Sequence, residues 1–392
     1  MLTTESVVSV SPHFFEWASL ARPAIGSLFG KSLHMWQNAT RELIGLPKDQ
    51  PIVMVGHQPT LFHPGILSKF IAARRVADEI GGIVVFLVVD HHIGPADELQ
   101  RPIEGEHLSI DTIKLTNLDS TIAMKDQEPV VVHADIEPFS TALHQPKSEN
   151  AAMQFAFALQ EMMLPYVSLD QVLPASSLMQ TEFVNSVVDE MMINTTPCLD
   201  AYNASAEMFP SVGIQTLKSS ELPVWQGPRN DRTIQGNADL RPRAILLTLI
   251  ARLVACDLFV HGTGGMHYDQ CMESWCKQWL GVTPCEAVLS SATMRLPLCQ
   301  KSFTDARRDY FSPPGLEKQK REYLDAIERA AYKSTERQSA FVEMRRWTSE
   351  IQMPFPRTQL LLNDSIAQKR DWAFPLYSHQ QLMSLVRGIQ HY

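Results

Sequence analysis

Apolar residues first crowd together in "PIVMV" (51–55), a short β-branched run that stops at Gly56, as a buried parallel strand does. The spacing then changes. Ile66, Phe70, Ala73, Ala77 and Ile80 recur three and four apart, which predicts a helix over about 65–80 with one apolar face. After Gly81 and Gly82 comes "IVVFLVV", a second fully apolar strand that ends at Asp90, His91 and His92. Strand, helix and strand in this order predict a βαβ unit.

Further along, "PVVVHADI" suggests a strand, "AAMQFAFALQEMMLPYV" and "TEFVNSVVDEMM" suggest helices, and "LPVWQGPRNDR" reads as a loop. A second core-like block, "RPRAILLTLIARLVACDLFVHGTGG", leads through helix to the strand "CDLFV" and a glycine turn. From Leu316 to Ile351 the pattern is helical again, with Tyr323, Ile327, Ala330, Phe341, Met344, Trp347 and Ile351 marking a broken seam among mixed charges. Pro313 and Pro314 open that segment and "MPFPR" closes it. Such a helix serves as a solvated arm or as a homodimer contact.

Composition narrows the function classes. The 392 residues suffice for a large core, and 45% hydrophobic with 20% charged residues is ordinary for a globular protein. A net charge of -9 argues against an extended nucleic-acid surface, which needs Lys and Arg. The start, "MLTTESVVSVSPHFFEW", does not read as a secretory signal, so a cytoplasmic location is expected. The most apolar stretch, "AILLTLIARLVACDLFV", is broken by Arg252 and Asp257 and reads as buried core rather than membrane span. Six cysteines form no CxxC pair, and reduced structural thiols are expected.

Polar chemistry collects where the apolar strands stop. In "GHQPTLFHPG", Gly56 allows a tight turn, Pro64 and Gly65 begin the helix, and His57, Gln58, Thr60 and His63 supply donors and acceptors. Ligands of open α/β sheets bind outside the carboxyl ends of the strands, where helix N-termini attract anions. This loop is therefore a candidate phosphate or carboxylate site, with Lys69 one turn inside the helix. The plain alternative is a loop whose side chains satisfy one another.

"DHHIGPADEL" gathers Asp90, His91, His92, Asp97 and Glu98, a set suited to acid/base work or to a divalent metal. It lacks an H-E-x-x-H spacing, which weakens the metal reading. "HGTGGMHYDQ" adds Gly262, Gly264, Gly265, Tyr268 and Asp269; its G-x-G-G spacing is not the dinucleotide fingerprint.

In order along the chain, "VGHQPTLFHPGILSKF", "VVFLVVDHH", "LRPRAILLTLIARLVACDLFVHGTGGMHYD" and "AQKRDWAFPLYSHQQL" resemble four motifs of the bacillithiol biosynthesis cysteine-adding enzymes, a family of cysteine ligases. The family versions read "TGQQxGLFxGPLY", "PVFWxxxEDHD", "LRPxxQDxLLPTxAYxxGPGExAYW" and a late "QER". On the motifs fall Gly56, Gln58, Leu61, Phe62 and Pro64, then Asp90 and one of the two histidines after it, then Leu240, Arg241, Pro242, Gly262, Gly264 and Tyr268, and last Gln368 and Arg370. This chain departs at His57, His63, "DHHI" and "HGTGGMHYD".

The resemblance implies a Rossmann-like parallel-sheet core of the nucleotidyltransferase and class I synthetase kind, spanning 1–310 with a helical connecting region inserted at about 104–240. It further implies a C-terminal helical arm at 311–352, a segment 353–392 returning to the core, and an amide-forming reaction joining cysteine to an amino sugar conjugate. The leading functional reading of the residues is an ATP-dependent ligase that joins an amine to a carboxylate. On that reading His57, His63, Asp90 and His91 carry the chemistry. Gly56, Gln58, Thr60, Gly65, Lys69, Arg241, Gly262, Gly264, Gly265, Tyr268, Asp269, Gln368 and Arg370 hold the nucleotide, with no metal ligand assigned. A non-catalytic binding protein and a metal-dependent hydrolase using Asp90 to Glu98 are the competing classes.

Overall fold

A computed structural model describes residues 7–105, 107–144, 148–234, 236, 238–298, 317–351 and 357–392. Pro313, Pro314, Leu316, the closing segment 353–356 and Cys299 lie outside the described residues. The described residues fall into two compact units, one formed by 101–111 with 295–370 and the other by the remainder.

The larger unit is built on a six-stranded sheet. Its strands are β1 (Val7–Ser11), β2 (Ile52–His57), β3 (Ile83–Val88), β4 (Gln171–Pro174), β5 (Leu258–His261) and β6 (Ala287–Thr293). Their spatial order is β1-β6-β5-β2-β3-β4, parallel throughout except that β1 pairs antiparallel with β6. The core is therefore Rossmann-like by strand order alone.

The two apolar runs form the central strands because both faces are covered. Ile52, Met54, Val85 and Leu87 point to a cluster that includes α1 (Leu33–Leu43), α3 (Thr195–Met208), α4 (Ala244–Ile250) and α5 (Thr263–Trp279). Val53, Val55, Val84 and Phe86 are buried on the other face, where α2 (Pro64–Ile80) packs. Nine residues of α2 between Leu67 and Ala77 are buried, so the expected single apolar face is nearly a full circumference. The helix stops at Gly81, which takes a left-handed φ of 68°.

The charges that interrupt the most apolar stretch are paired rather than solvated. Asp257 accepts from Arg41 Nη2 at 2.8 Å and from Ile52 N at 2.7 Å, tying β2 to the approach to β5. Arg252 lies 3.0 Å from Asp269 and 2.6 Å from Glu273. A three-stranded antiparallel sheet (Glu221–Gln226, Asp231–Thr233 and Leu240–Pro242) precedes α4 and contains the "LPVWQGPRNDR" segment expected as a loop. The five described cysteines are free and buried.

In the smaller unit the helix expected from 316 to 351 is two helices, α6 (Glu317–Arg329) and α7 (Thr335–Ile351), followed by α8 (Arg357–Gln368). Lys333 takes φ 64°, which no helix continues through, and Ser334 Oγ accepts from Arg337 N at 3.1 Å to start α7. Part of the expected contact seam closes on itself: the Tyr323 and Trp347 rings lie 5.5 Å apart and Ile327 is buried, while Phe341 is exposed. The last helix, α9 (His379–Gln390), belongs to the larger unit and packs on α2.

Candidate functional site

The connections from β2 and β5 run in opposite directions across the sheet. β2 leads through α2 to β3, and β5 leads through α5 to β6, while β2 and β5 are themselves adjacent. Their carboxyl ends thus flank the topological switch point, where open α/β sheets form a ligand crevice. The "GHQP" and "HGTGG" turns occupy its two lips.

Lys69 lies beneath them. It is 4% exposed, and its Nζ donates to the Gly56 carbonyl at 2.9 Å. A Cβ on Gly262 would stand 3.7 Å from the Lys69 stem, so the two lips and this side chain are contiguous. Burial lowers the Lys69 pKa to about 7, and among the described residues no carboxylate offsets it. His57 is pushed to about 3 by burial first and then by Lys69, with His63 and His92 adding to the effect. The crevice thus gathers basic groups without a counter-ion among the contributors to either shift.

The two histidines expected to carry charge do other work. His63 is the N-cap of α2, and its Nδ1 accepts from Gly65 N at 3.0 Å. Gly65 fits only because it lacks a Cβ, which would meet Ala292 O at 2.7 Å. His57 donates from Nδ1 to Gln58 O at 2.8 Å and sets its ring edge-on to Phe62. With its pKa that low it is neutral at physiological pH and supplies no positive charge to a phosphate. Thr60 N donates to Gln58 O, closing the loop through its main chain.

The other lip is more open. Gly262 caps α5 without a side-chain bond, and a Cβ on Gly264 would meet no atom within 4 Å. Gly265 is the reverse: its Cβ would lie 2.2 Å from His261 Nδ1. His261, a polar member of the "HGTGGMHYDQ" cluster to which the sequence assigned no role, is 8% exposed, with Nε2 2.7 Å from Asp269 Oδ2. Asp269 is itself 3% exposed and faces His261 and Arg252, so it braces the turn. A His eight residues before an Asp across a strand-to-helix turn was the available signal.

Asp90 and His91 sit at the same sheet edge, at the end of β3. Asp90 is fully buried and accepts from Ser176 N at 3.1 Å and from the Ser176 hydroxyl, joining the ends of β3 and β4. Its expected role as a base is therefore replaced by a structural one. His91 lines a cavity of about 440 Å³ with Lys125, Ser176, Asp189 and Arg241. Arg241 is 2% exposed and held by Asp126 at 2.6 Å and Asp239 at 3.0 Å. Its charge is already balanced there.

Tyr268 lines a different cavity, with Trp225 and Arg243. Gln368 and Arg370 belong to the smaller unit. Among the described residues no group of three or more His, Cys, Asp or Glu side chains is placed to hold a metal ion, and no helix is long and apolar enough to cross a membrane.

No family model matches the chain, and no curated protein does. Among solved structures it is similar to the Plasmodium falciparum tryptophanyl-tRNA synthetase, at 10% identity over 91% of this chain and 89% of that one, with a TM-score of 0.29. It is also similar to the Archaeoglobus fulgidus tyrosyl-tRNA synthetase complexed with L-tyrosine, at 12% identity over 96% and 99%, with a TM-score of 0.30. A tryptophanyl-tRNA synthetase homolog from Entamoeba histolytica matches at 8% identity over 97% and 96%, with a TM-score of 0.28. Likeness that slight adds nothing to the strand order itself.

Proposed function

We propose that the chain is an ATP-dependent ligase that activates a carboxylate and passes it to an amine, with the nucleotide phosphates lying in the switch-point crevice. One observation carries this reading: a buried lysine with no carboxylate partner among the described residues, set beneath two glycine turns where β2 and β5 part. A phosphate there would offset the desolvation of Lys69, restore its proton and meet the N-terminus of α5, which brings no capping side chain of its own.

In such a reaction a carboxylate oxygen attacks a phosphorus of ATP and expels ADP or diphosphate, and the amine then attacks the carbonyl carbon, displacing phosphate or AMP and giving up a proton. Lys69 would hold the phosphates, and His91, in the neighbouring cavity, is the remaining candidate to take the amine proton. The resemblance to the cysteine-adding enzymes makes cysteine and an amino sugar conjugate the first pair to try.

Calorimetric titration tests the nucleotide site directly. Wild-type protein is expected to bind ATP, and Lys69→Met to weaken it about a hundredfold, the scale of one buried charge-assisted contact. Absence of ATP binding, or the same affinity in Lys69→Met, would refute the phosphate role of the crevice. A second reading, binding without turnover, is favoured by the capping role of His63 and the neutrality of His57. Hydroxylamine, which traps activated carboxylates, separates the two: ATP consumed with hydroxamate formation marks the ligase, and ATP bound but never consumed marks the binding protein.

A further inference from the structure

The cavity lined by Tyr268 has a chemistry of its own. Its volume is about 250 Å³, and its walls include Tyr202, Trp225, Ile245, Arg243 and Tyr268. Tyr202 is 4% exposed and Tyr268 43% exposed, so the aromatic lining runs from the core to the surface.

Arg243 is the unusual member. It is 8% exposed, its Nε donates to Val224 O at 3.1 Å, and its guanidinium stands 4.0 Å from the centre of the Trp225 ring. Its Nη2 is buried without a hydrogen-bond partner, and among the described residues no carboxylate stands at ion-pair distance from it. The other arginine of the cavity is committed elsewhere, since Arg232 pairs with Glu221 at 3.2 Å and donates to Gln215 at 3.2 Å. Burial lowers the Arg243 pKa, and the nearby Glu221 carboxylate, already paired with Arg232, offsets that only in part. A cation so placed costs stability unless an anion completes it.

We infer that this cavity binds a flat aromatic carboxylate, its ring against Trp225 and Tyr268 and its carboxylate on the Arg243 guanidinium. A carboxylate suits one guanidinium fork, whereas a phosphate carries more charge than a single arginine balances. The aromatic walls favour a flat ring over a saturated one, and the cavity has room for little more than one ring system. The inference is independent of the ligase reading, because the cavity shares no side chain with the Lys69 crevice.

Benzoate is the probe, titrated calorimetrically into the full chain beside benzamide, which keeps the ring without the charge, and cyclohexanecarboxylate, which keeps the charge without the flat ring. Benzoate is expected to bind saturably at one site, with each comparison compound weaker by about tenfold or more. Arg243→Gln is expected to abolish binding, and Tyr268→Ala to weaken it severalfold. Tyr268 is exposed at the surface, so its variant carries the test even if Arg243→Gln fails to fold. No saturable benzoate binding, equal affinity for the three probes, or an unchanged affinity in Tyr268→Ala would each overturn the assignment.

Discussion

Two strand-to-helix turns meet at the switch point, and they treat their polar groups in opposite ways. The turn after β2 is crowded with side chains, and it uses them on itself: His63 caps α2 and His57 bonds to Gln58. The turn after β5 carries three glycines, leaves its helix start without a side-chain cap, and has open space beside Gly264. A dense polar motif therefore marks a well-built turn, and the sparse one beside it leaves open space. Lys69, from the crowded side, lies beneath both.

The largest expected effect separates the glycines of the open turn. A Cβ on Gly265 would force the His261 ring away and break its pairing with Asp269, so Gly265→Ala should cost about 3 kcal/mol in denaturant unfolding. Gly264→Ala meets nothing and should lie within about 0.5 kcal/mol of wild type. Equal costs would mean that the turn is not packed on one side and open on the other.

Lys69→Met sharpens the contrast in charge. Lys69 has a folded pKa of about 7 against an ordinary value of 10.5. Between those limits the unfolded chain binds a proton that the folded chain does not, so this residue makes stability rise with pH from 7 to 10.5 and imposes its full penalty below pH 7. Lys69→Met should then stabilise the protein at pH 6 by about 3 kcal/mol, after allowance for the lost bond to Gly56, and the gain should fade toward pH 10.5. Thermal melts across that range check it; a destabilised variant at pH 6 would show that Lys69 has a partner that stabilises its charge. A residue that costs stability, and whose replacement weakens ATP binding about a hundredfold, would be one held for function.

Much of this frame is legible in the chain, for physical reasons that also explain what is not. "PIVMV" and "IVVFLVV" declare themselves because strands buried on both faces need unbroken apolar runs. β6 is harder to see: its buried positions are Val288, Ser290 and Ala292 while Leu289 lies on the other face, so only its burial pattern alternates. β1 is an edge strand whose partner lies near residue 290, a pairing that no local pattern encodes. The strand ends that gather at one sheet edge were readable from "GHQP", "DHH" and "HGTGG". The division of their side chains was not, because Asp90 meets Ser176 and Asp269 meets Arg252 across long sequence separations. Polar identity is visible in a sequence, whereas whether a group is already satisfied is decided by tertiary partners.

A smaller effect belongs to His57. Its folded pKa of about 3 lies below the ordinary 6.5, so the unfolded chain takes up a proton first and stability falls as pH drops from 6.5 to 3. His57→Phe keeps a ring against Phe62 and removes that titration, and should be less acid-labile than wild type by about 1–2 kcal/mol at pH 4. Parallel acid melts of the two proteins decide it; identical acid profiles would mean that His57 is solvated and free to charge.

The smallest expected effect tests whether the crowded turn is built for itself. If His63 serves α2 as a cap, His63→Ala should cost about 1 kcal/mol, and His63→Asn, which also accepts from the Gly65 N–H, should recover most of it. ATP affinity should follow neither change beyond what stability explains, since the Nδ1 lone pair already faces the helix. A phosphate-binding His63 makes the opposite forecast. His63→Asn would then fold as well as wild type and lose ATP affinity as His63→Ala does. Measuring unfolding and ATP titration on both variants therefore assigns the side chain, and it does so without requiring that the substrates of the reaction be known.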